Sequence, residues 1–287
     1  MRESDNGSPV TWEARIPHPE RIIYPEAHIA RSEVVSYYAE VAPYLLEQAR
    51  GRALTVKRWP HGIDGPMFYQ KHPADGGPIV VTSTEALITW VGQGALEWHA
   101  PLGLADSPLV HDWAILDLDP NPPAGWAEVI EVGGVFKNLL ELMDIPYLLK
   151  TSGQRGLHFY VGIRPLHHQR ILAIMGQLAD VVERTLPDVA TTARLKRDRG
   201  ARVYLDYLQN GHSRTTVMAY SLRATPSATV SAPITWDQRG LGTHYWTIDR
   251  VRAQLRSRGN LWMWQQPRVD LEVAVSRFGM RGGAGER

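Results

Sequence analysis

The stretch WAILDLDP (113–120) decides how this chain is built. Trp113 to Leu118 is an apolar run of strand length, and Pro120 with the following Asn121-Pro122-Pro123 closes it. Side chains alternate along a strand. Asp117 and Asp119 therefore project from one face with Ile115, while Leu116 and Leu118 project from the other. Two carboxylates side by side at the open end of a buried strand repel each other, and a cation relieves that repulsion. By spacing alone, Asp-x-Asp-Pro also describes an ordinary strand exit and turn.

Outward from this strand, the pattern repeats a known order. GWAEVIEVGGVFKNLLELMD (125–144) has helical periodicity despite Gly133 and Gly134. YLLKTS (147–152) and LHFYVGI (157–163) read as strands around a glycine-containing turn. HHQRILAIMGQLADVVERTL (167–186) is an amphipathic helix, and ARVYLDYLQ (201–209) is a further strand. The order β-α-β-β-α-β is the split unit of ferredoxin-like folds. There the first strand lies between the third and fourth, so strand 113–119 is flanked by 157–163 and 201–209. Asp206 then falls opposite Asp117 and Asp119, unless it is an unrelated, partly exposed residue. Three hard oxygen ligands on neighbouring strands suit Mg²⁺ or Mn²⁺. Two such ions, ~3.5–4 Å apart, form the clamp for in-line phosphoryl transfer.

The turn KTSGQRGLH (150–158) combines Lys150, Ser152, Arg155 and His158 with Gly153 and Gly156. Glycines let backbone N–H groups approach an anion, and Arg155 offers a bidentate phosphate contact. Such residues equally form an ordinary polar hairpin tip; the neighbouring carboxylates favour the phosphate reading.

The N-terminal half reads as a loose arm (1–16), then a helix capped by Ser32 and ending before Gly51. Val34, Val35, Tyr38, Val41, Leu45 and Leu46 form its apolar face, and Pro43 should kink it. Strands near 53–58, 67–72 and 79–83, a helix near 84–93 and a strand near 95–100 follow; 280–287 reads as a frayed tail. Arg31 stands just before the helix start, whose unpaired N–H groups favour an anion, and Arg21 can close that pocket. Lys57, His99, Gln209 and Arg223 sit on predicted strands; each alone is more often a solvated residue. Of the neighbours Phe68 and Tyr69, strand packing should account for one.

With 287 residues there is enough chain for one large domain or two intimate subdomains. The absence of cysteine excludes disulfides, thiolate metal sites and a cysteine nucleophile. A net charge of +1 does not by itself announce nucleic acid, although a basic face can be masked by an acidic one. The polar start, MRESDNGSPV, lacks the apolar core of a signal peptide, and no apolar run reaches membrane-spanning length.

Eight strings in order, RIIYP (21–25), KRWPHGIDG (57–65), MFYQKH (67–72), ALEWHAP (95–101), ILDLDP (115–120), KTSGQRGLH (150–158), VYLDYLQN (203–210) and AYSLRA (219–224), resemble the polymerase domain of bacterial ligase D and its stand-alone relatives in the archaeo-eukaryotic primase superfamily. The resemblance implies an α+β primase-polymerase fold, an RRM-like or ferredoxin-like core (112–225) packed on an N-terminal α/β subdomain (17–111), with a C-terminal extension (226–280). It implies a DNA-directed nucleotidyltransferase that extends primers and fills short gaps with NTPs or dNTPs, in end joining or excision-type repair, in the bacterial cytoplasm.

By the same resemblance, Asp117, Asp119 and Asp206 hold two Mn²⁺ or Mg²⁺ ions. Ser152, Arg155 and His158 bind the triphosphate, where the family commonly has lysine at 155. Lys57, His99, Gln209 and Arg223 line the nucleotide. Phe68 and Tyr69 stack on template, a pair commonly of two phenylalanines. Arg21 and Arg31 replace two lysines that hold a 5′-phosphate across a gap. The expected partners are gapped or 3′-overhanging DNA, an ATP-dependent DNA ligase and Ku, with the chain a monomer. The segment from His72 to Leu96 is compact where end-joining members carry a longer loop, which favours gap filling. A de novo primase and a catalytically silent nucleic-acid binding module are the competing readings; the intact acid triad argues against the latter.

Overall fold

The computed structural model describes residues 12–73, 75–263 and 267–279. The tail 280–287 and residues 1–11 of the expected arm lie outside this set. The last part of the arm is not loose: Trp12–Arg15 forms a 3-10 turn and Ile16 is buried.

The chain runs β1 (Ile22–Tyr24), β2 (Ile29–Ala30), α1 (Arg31–Ala49), β3 (Thr55–Arg58), β4 (Phe68–Gln70), α2 (Thr84–Gly92) and β5 (Ala95–Ala100). It continues through β6 (Val110–Pro120), α3 (Trp126–Leu142), β7 (Leu148–Thr151), β8 (Leu157–His167), α4 (His168–Thr185), β9 (Ala190–Thr191), α5 (Lys196–Arg199) and β10 (Val203–Asp206). The remaining elements are β11 (Thr216–Val217), β12 (Pro233–Ile234), α6 (Ile248–Arg258) and α7 (Leu271–Ser276).

The fold is α+β. A six-stranded sheet has the order β12-β7-β8-β6-β10-β9, and its middle four strands are the expected ferredoxin-like arrangement. A four-stranded sheet has the order β11-β5-β3-β4. β11 thus joins the sheet of the N-terminal half, and β12 joins the edge of the six-stranded sheet. The two sheets draw on segments from either side of residues 111 and 225.

Packing fixes which face of β6 carries the acids. On α3, Gly133 comes so close to the sheet that a Cβ there would lie 3.3 Å from Leu157 and 3.5 Å from Leu118 and Phe159. Phe136, fully buried on the same helix, meets Phe159 edge-on at 5.1 Å; truncating a buried Phe costs about 3–5 kcal/mol. Leu118 therefore faces α3, and Asp117 and Asp119 face away from it. On α4, Ile171, Ile174, Met175, Leu178 and Val182 are buried at helical spacing.

Three sequence expectations need correction. Ser32 does not cap α1: the helix starts at Arg31, after Ala30, whose N–H donates to Glu33 Oε2 at 2.9 Å. Segment 79–83 forms only an isolated bridge, Leu54 to Ile79, because Pro78 brings no N–H and β3 already pairs on both sides. The strand of 201–209 stops at Asp206, whose Oδ1 accepts the N–H of Leu208 and starts a 3-10 turn over Tyr207–Asn210. α1 itself continues through Pro43 to Ala49, as expected before Gly51.

At the far end of β6 from the acids, the rings of His111, His167 and His212 gather round His168, with centroids 4.8–6.0 Å from it. Burial, and then His168, push His111 down to about 4, with a backbone hydrogen bond at Pro108 opposing. A depressed histidine favours the folded state above its unfolded value near 6.5 and loses that contribution as pH falls toward 4. Thermal unfolding between pH 7.5 and 4.5 should show up to about 3 kcal/mol lost through this one group. His111→Asn should flatten that part of the profile, and parallel profiles for the two proteins would contradict the assignment.

Candidate active site

The acids meet by strand register. Asp117 on β6 pairs directly with Asp206 on β10, and Asp119 pairs with Tyr204 two residues along. Asn210 holds the arrangement: buried at the end of the 3-10 turn, it accepts the N–H of Ile115 at 2.8 Å and donates to its carbonyl at 2.7 Å. The side-chain amide so replaces a strand neighbour where β10 has ended. Burial, then Asp206 and Asp119, push Asp117 up to about 8, against the pull of Lys150 and Arg223. Asp206 is also raised, by burial, although Gln209 Nε2 donates to its Oδ2 at 2.8 Å.

This donor set fits hard divalent cations: carboxylate oxygens only, mutually repelling, at the floor of an open cleft. Among the described residues, no three such side chains already converge as a finished cage. Each acid instead has its own partner. Asp117 Oδ1 lies 3.3 Å from His158 Nε2, Asp206 is held by Gln209, and Asp119 Oδ2 lies 3.8 Å from Arg199 Nη1.

The same register extends sideways. Lys150 on β7 pairs with His158 on β8, which pairs with Asp117, so Lys150, His158, Asp117 and Asp206 form one row across four strands. Lys150 Nζ is fully buried, 3.0 Å from His158 Nδ1, and donates to Ser231 Oγ at 2.8 Å. Burial lowers the pKa of both Lys150 and His158 well below their ordinary values. A neutral His158 accepting from Lys150 at Nδ1 presents its Nε2–H toward Asp117.

A cleft of about 280 Å³ opens over this row. Asp117, Asp119, His99, Ser152, Arg155, His158, Gln209 and Arg223 all line it, so the structure gathers most of the sequence candidates in one place. Asp206 lines an adjoining cleft of about 210 Å³ with Arg194, Arg199 and Arg214, and Gln209 borders both. The acids therefore stand at a junction of two basic-walled spaces.

The turn over 152–156 is closed by Ser152, whose Oγ accepts the N–H groups of Gln154 at 3.2 Å and Gly156 at 2.9 Å. Arg155 is exposed at its tip, unlike Arg223, which is buried behind it and donates to the Ser152 carbonyl at 2.7 Å. A Cβ at Gly156 would lie 2.4 Å from the Leu118 carbonyl oxygen, and one at Gly153 would lie 2.6 Å from Arg223 Cγ. The glycines are there because the turn is pressed against β6 and Arg223.

Glu97, which sequence reasoning passed over, is the hub of the opposite wall. It is 2% exposed. Its Oε2 lies 3.0 Å from Lys57 Nζ and 3.2 Å from His99 Nε2; its Oε1 lies 3.2 Å from Arg223 Nε and accepts the N–H of Ala224 at 3.1 Å. Burial raises the Glu97 pKa, but His99, Arg223 and Lys57 outweigh it and bring it below the usual range. Lys57 stands behind the cleft, paired to Glu97, rather than among its lining residues. A glutamate two residues before His99 in the otherwise apolar ALEWHA was the available signal. Arg199 was missed too, because the run ARLKRDRG shows no period. It is nearly buried, with its guanidinium 3.6 Å from the centre of the Tyr204 ring.

The expected strand positions of two residues are corrected. Gln209 sits on the 3-10 turn, and Arg223 on an irregular segment beside the bridge Leu222 to Val230. α1 holds that segment: Tyr38 hydrogen-bonds the Leu96 carbonyl and receives the Leu222 N–H at 2.9 Å, while Tyr37 donates to the Tyr220 carbonyl at 2.8 Å.

Neither Phe68 nor Tyr69 is packed away, contrary to expectation; they are 52% and 53% exposed. β4 is an edge strand, where Tyr69 pairs with Lys57 and Phe68 with Arg58, so Tyr69 shares the Glu97 face. Arg21 and Arg31 come together, but not as a free phosphate pocket. Arg31 is 3% exposed and donates to the carbonyls of Pro17 at 2.5 Å and Pro60 at 2.6 Å. The N–H groups of Arg31 and Ser32 donate to Arg21 and Pro19 carbonyls, so the helix start is already satisfied. Arg21 Nη1 contacts the Pro60 carbonyl at 3.2 Å and His61 Nδ1 at 3.1 Å.

Residues 30–262 match the model of the family described as LigD, primase-polymerase domain. The multifunctional non-homologous end joining protein LigD of Pseudomonas aeruginosa is 32% identical over 264 residues, 84% of this chain and 31% of that protein. The bifunctional LigD of Bacillus subtilis is 29% identical over 257 residues, 84% of this chain and 42% of that protein. The chain thus spans less than half the length of these relatives. The polymerase domain of Mycobacterium tuberculosis ligase D, solved in complex with DNA, superposes with a TM-score of 0.78 at 28% identity, covering 86% of this chain and 95% of that one. Fold, register and sequence agree, and the chain belongs to the LigD primase-polymerase domain family.

Proposed function

We propose that this chain is a DNA-repair polymerase, a nucleotidyltransferase that extends a primer strand or fills short gaps using NTPs or dNTPs. The observation that carries the reading is the register of Asp117 against Asp206, with Asp119 on the same face, below a cleft walled by the 152–156 turn. Asp117, Asp119 and Asp206 would hold two Mn²⁺ or Mg²⁺ ions. When bound, such a pair activates the primer 3′-hydroxyl and neutralises the leaving pyrophosphate. The protein does the rest. The exposed Arg155 side chain takes the triphosphate, and Arg223 fixes that turn from behind. Asp206 lines the second cleft with Arg194 and Arg214, and the primer end would enter there. Exposed Phe68 and Tyr69 offer the template a stacking surface. A 5′-phosphate across a gap would rest on Arg21 and His61, since Arg31 is bound to carbonyls.

A separate ATP-dependent DNA ligase, and Ku at broken ends, are proposed as partners; the names of the LigD relatives give non-homologous end joining. Among the described residues, no helix is long and apolar enough to cross a membrane.

The test is extension of a primer–template and of a short gap, with NTP or dNTP and Mn²⁺ or Mg²⁺. Template-directed addition that requires the metal is expected, faster on a gap bearing a 5′-phosphate than on one bearing a 5′-hydroxyl at a stated salt concentration. Products from single-stranded template without primer would instead indicate a primase; DNA binding with no addition would indicate a silent module.

A further inference from the structure

We propose that Glu97 is a positioning residue for the nucleotide: its carboxylate fixes the tautomer of His99, so that His99 Nδ1 meets the cleft as a hydrogen-bond acceptor for a ribose hydroxyl. The inference rests on reading this cleft as a nucleotide site.

A carboxylate only accepts. Glu97 Oε2 lies 3.2 Å from His99 Nε2, so the proton of the ring must sit on Nε2. Glu97 and His99 are two residues apart on β5 and share a face, and Lys57 approaches the same oxygen from its register position on β3. Lys57 and Arg223, both cationic, crowd this carboxylate and oppose a second proton on the imidazole. Burial, with Arg223 and Lys57, lowers the pKa of His99 against the pull of Glu97. The ring is then neutral, with a lone pair on Nδ1. No protein group hydrogen-bonds that atom among the described residues, and His99 lines the cleft.

A lone pair at this wall repels phosphate and base carbonyl oxygens. It attracts a donor. Template-directed synthesis must accept every base, so the donor has to be common to all nucleotides, and the hydroxyls of the sugar are the donors that meet this condition. Position agrees: the phosphate-binding turn forms another part of the cleft, and His99 lies on β5 against Val217 of β11. Glu97 also ties Arg223 to this wall, and Arg223 reaches the Ser152 carbonyl. One carboxylate therefore sets the spacing between the sugar contact and the triphosphate turn.

Glu97→Gln keeps the shape but puts an NH₂ donor among Lys57, Arg223 and His99. The ring then receives at Nε2 and carries its proton on Nδ1, reversing the polarity offered to the sugar. Two measurements test this. ¹⁵N NMR of the imidazole in the wild-type protein should show Nε2 protonated and Nδ1 bare, and in the variant the reverse. Single-nucleotide addition with NTP, 2′-deoxy-NTP and 3′-deoxy-NTP should show wild type losing about tenfold in kcat/KM when one of the two hydroxyls is removed, the size of one hydrogen bond. Glu97→Gln should shrink that ratio toward one while its melting curve stays cooperative. A wild-type ring protonated on Nδ1 would overturn the proposal without any variant, as would full sugar discrimination retained in folded Glu97→Gln. A wild-type protein that adds no nucleotide removes the functional reading and the ribose assignment together, whereas the NMR result still decides whether Glu97 sets His99.

Discussion

Asp117→Asn is expected to abolish nucleotide addition, by on the order of a thousandfold or more, while leaving DNA binding largely intact. Asp119→Ala and Asp206→Ala should do the same, since each removes an oxygen ligand rather than a wall of either cleft. The asparagine variant has a second, opposite signature. Asp117 is pushed up to about 8 by burial and by its two acidic neighbours, so in the metal-free protein its ionised form opposes folding. A raised carboxyl favours the fold while protonated and loses that contribution as pH rises through its folded value. At pH 8.5 with chelator, Asp117→Asn should therefore melt higher than wild type, by roughly 2–4 kcal/mol given partial contact with solvent. Adding Mn²⁺ should stabilise wild type and close the gap. Near-wild-type extension by any of the three variants, or a lower melting temperature for Asp117→Asn under chelation, would count against the acid cluster as the reaction centre.

Gly156→Ala should be strongly damaging. The added Cβ would lie 2.4 Å from the carbonyl oxygen of Leu118, a backbone atom near the end of a strand where it is still paired on both sides. Neither partner can yield without moving Asp117 or Asp119. A stability loss of about 2–3 kcal/mol is expected, with nucleotide affinity falling further because the 152–156 turn must lift off the sheet. Gly240→Ala is the control: nothing lies within 4 Å of the position its Cβ would take, so denaturant titration should find it neutral to about 0.5 kcal/mol. Equal midpoints for the two variants would show that the turn is not pressed against β6.

Legibility in the sequence followed the range of the physics. Strand alternation placed Asp117 and Asp119 on one face, and the order of elements placed Asp206 opposite them, because both rules are local or topological. The end of β10 was misjudged because Asp206 turns the chain with its own side chain, which an apolar pattern does not reveal. Arg31 was misread for a similar reason. Its sequence neighbours mark a helix start, but the carbonyls it satisfies belong to Pro17 and Pro60, outside any local pattern. Glu97 lay in plain view, yet its meaning depends on Lys57 across one strand pair and Arg223 far along the chain. The exposure of both Phe68 and Tyr69 follows from the edge position of β4, which strand propensity cannot foresee.

The path between Asp206 and Ile234 has a consequence for how the protein is made. After β10 the chain leaves the six-stranded sheet and adds β11 to the other sheet beside His99. It then passes Arg223 behind the phosphate turn and returns as β12 on the edge of β7. Synthesis from the N-terminus completes both sheets' central strands long before this late thread arrives. A nascent chain ending near residue 200 would carry two of the three acids but neither Asp206 nor Arg223. Its β5 edge would lack β11, and its β7 edge would lack β12, the kind of open edge that recruits stray strands. Maturation of this protein thus includes a sewing step that follows the central strands. The nascent chain has no finished cleft before residues 203–234 have emerged.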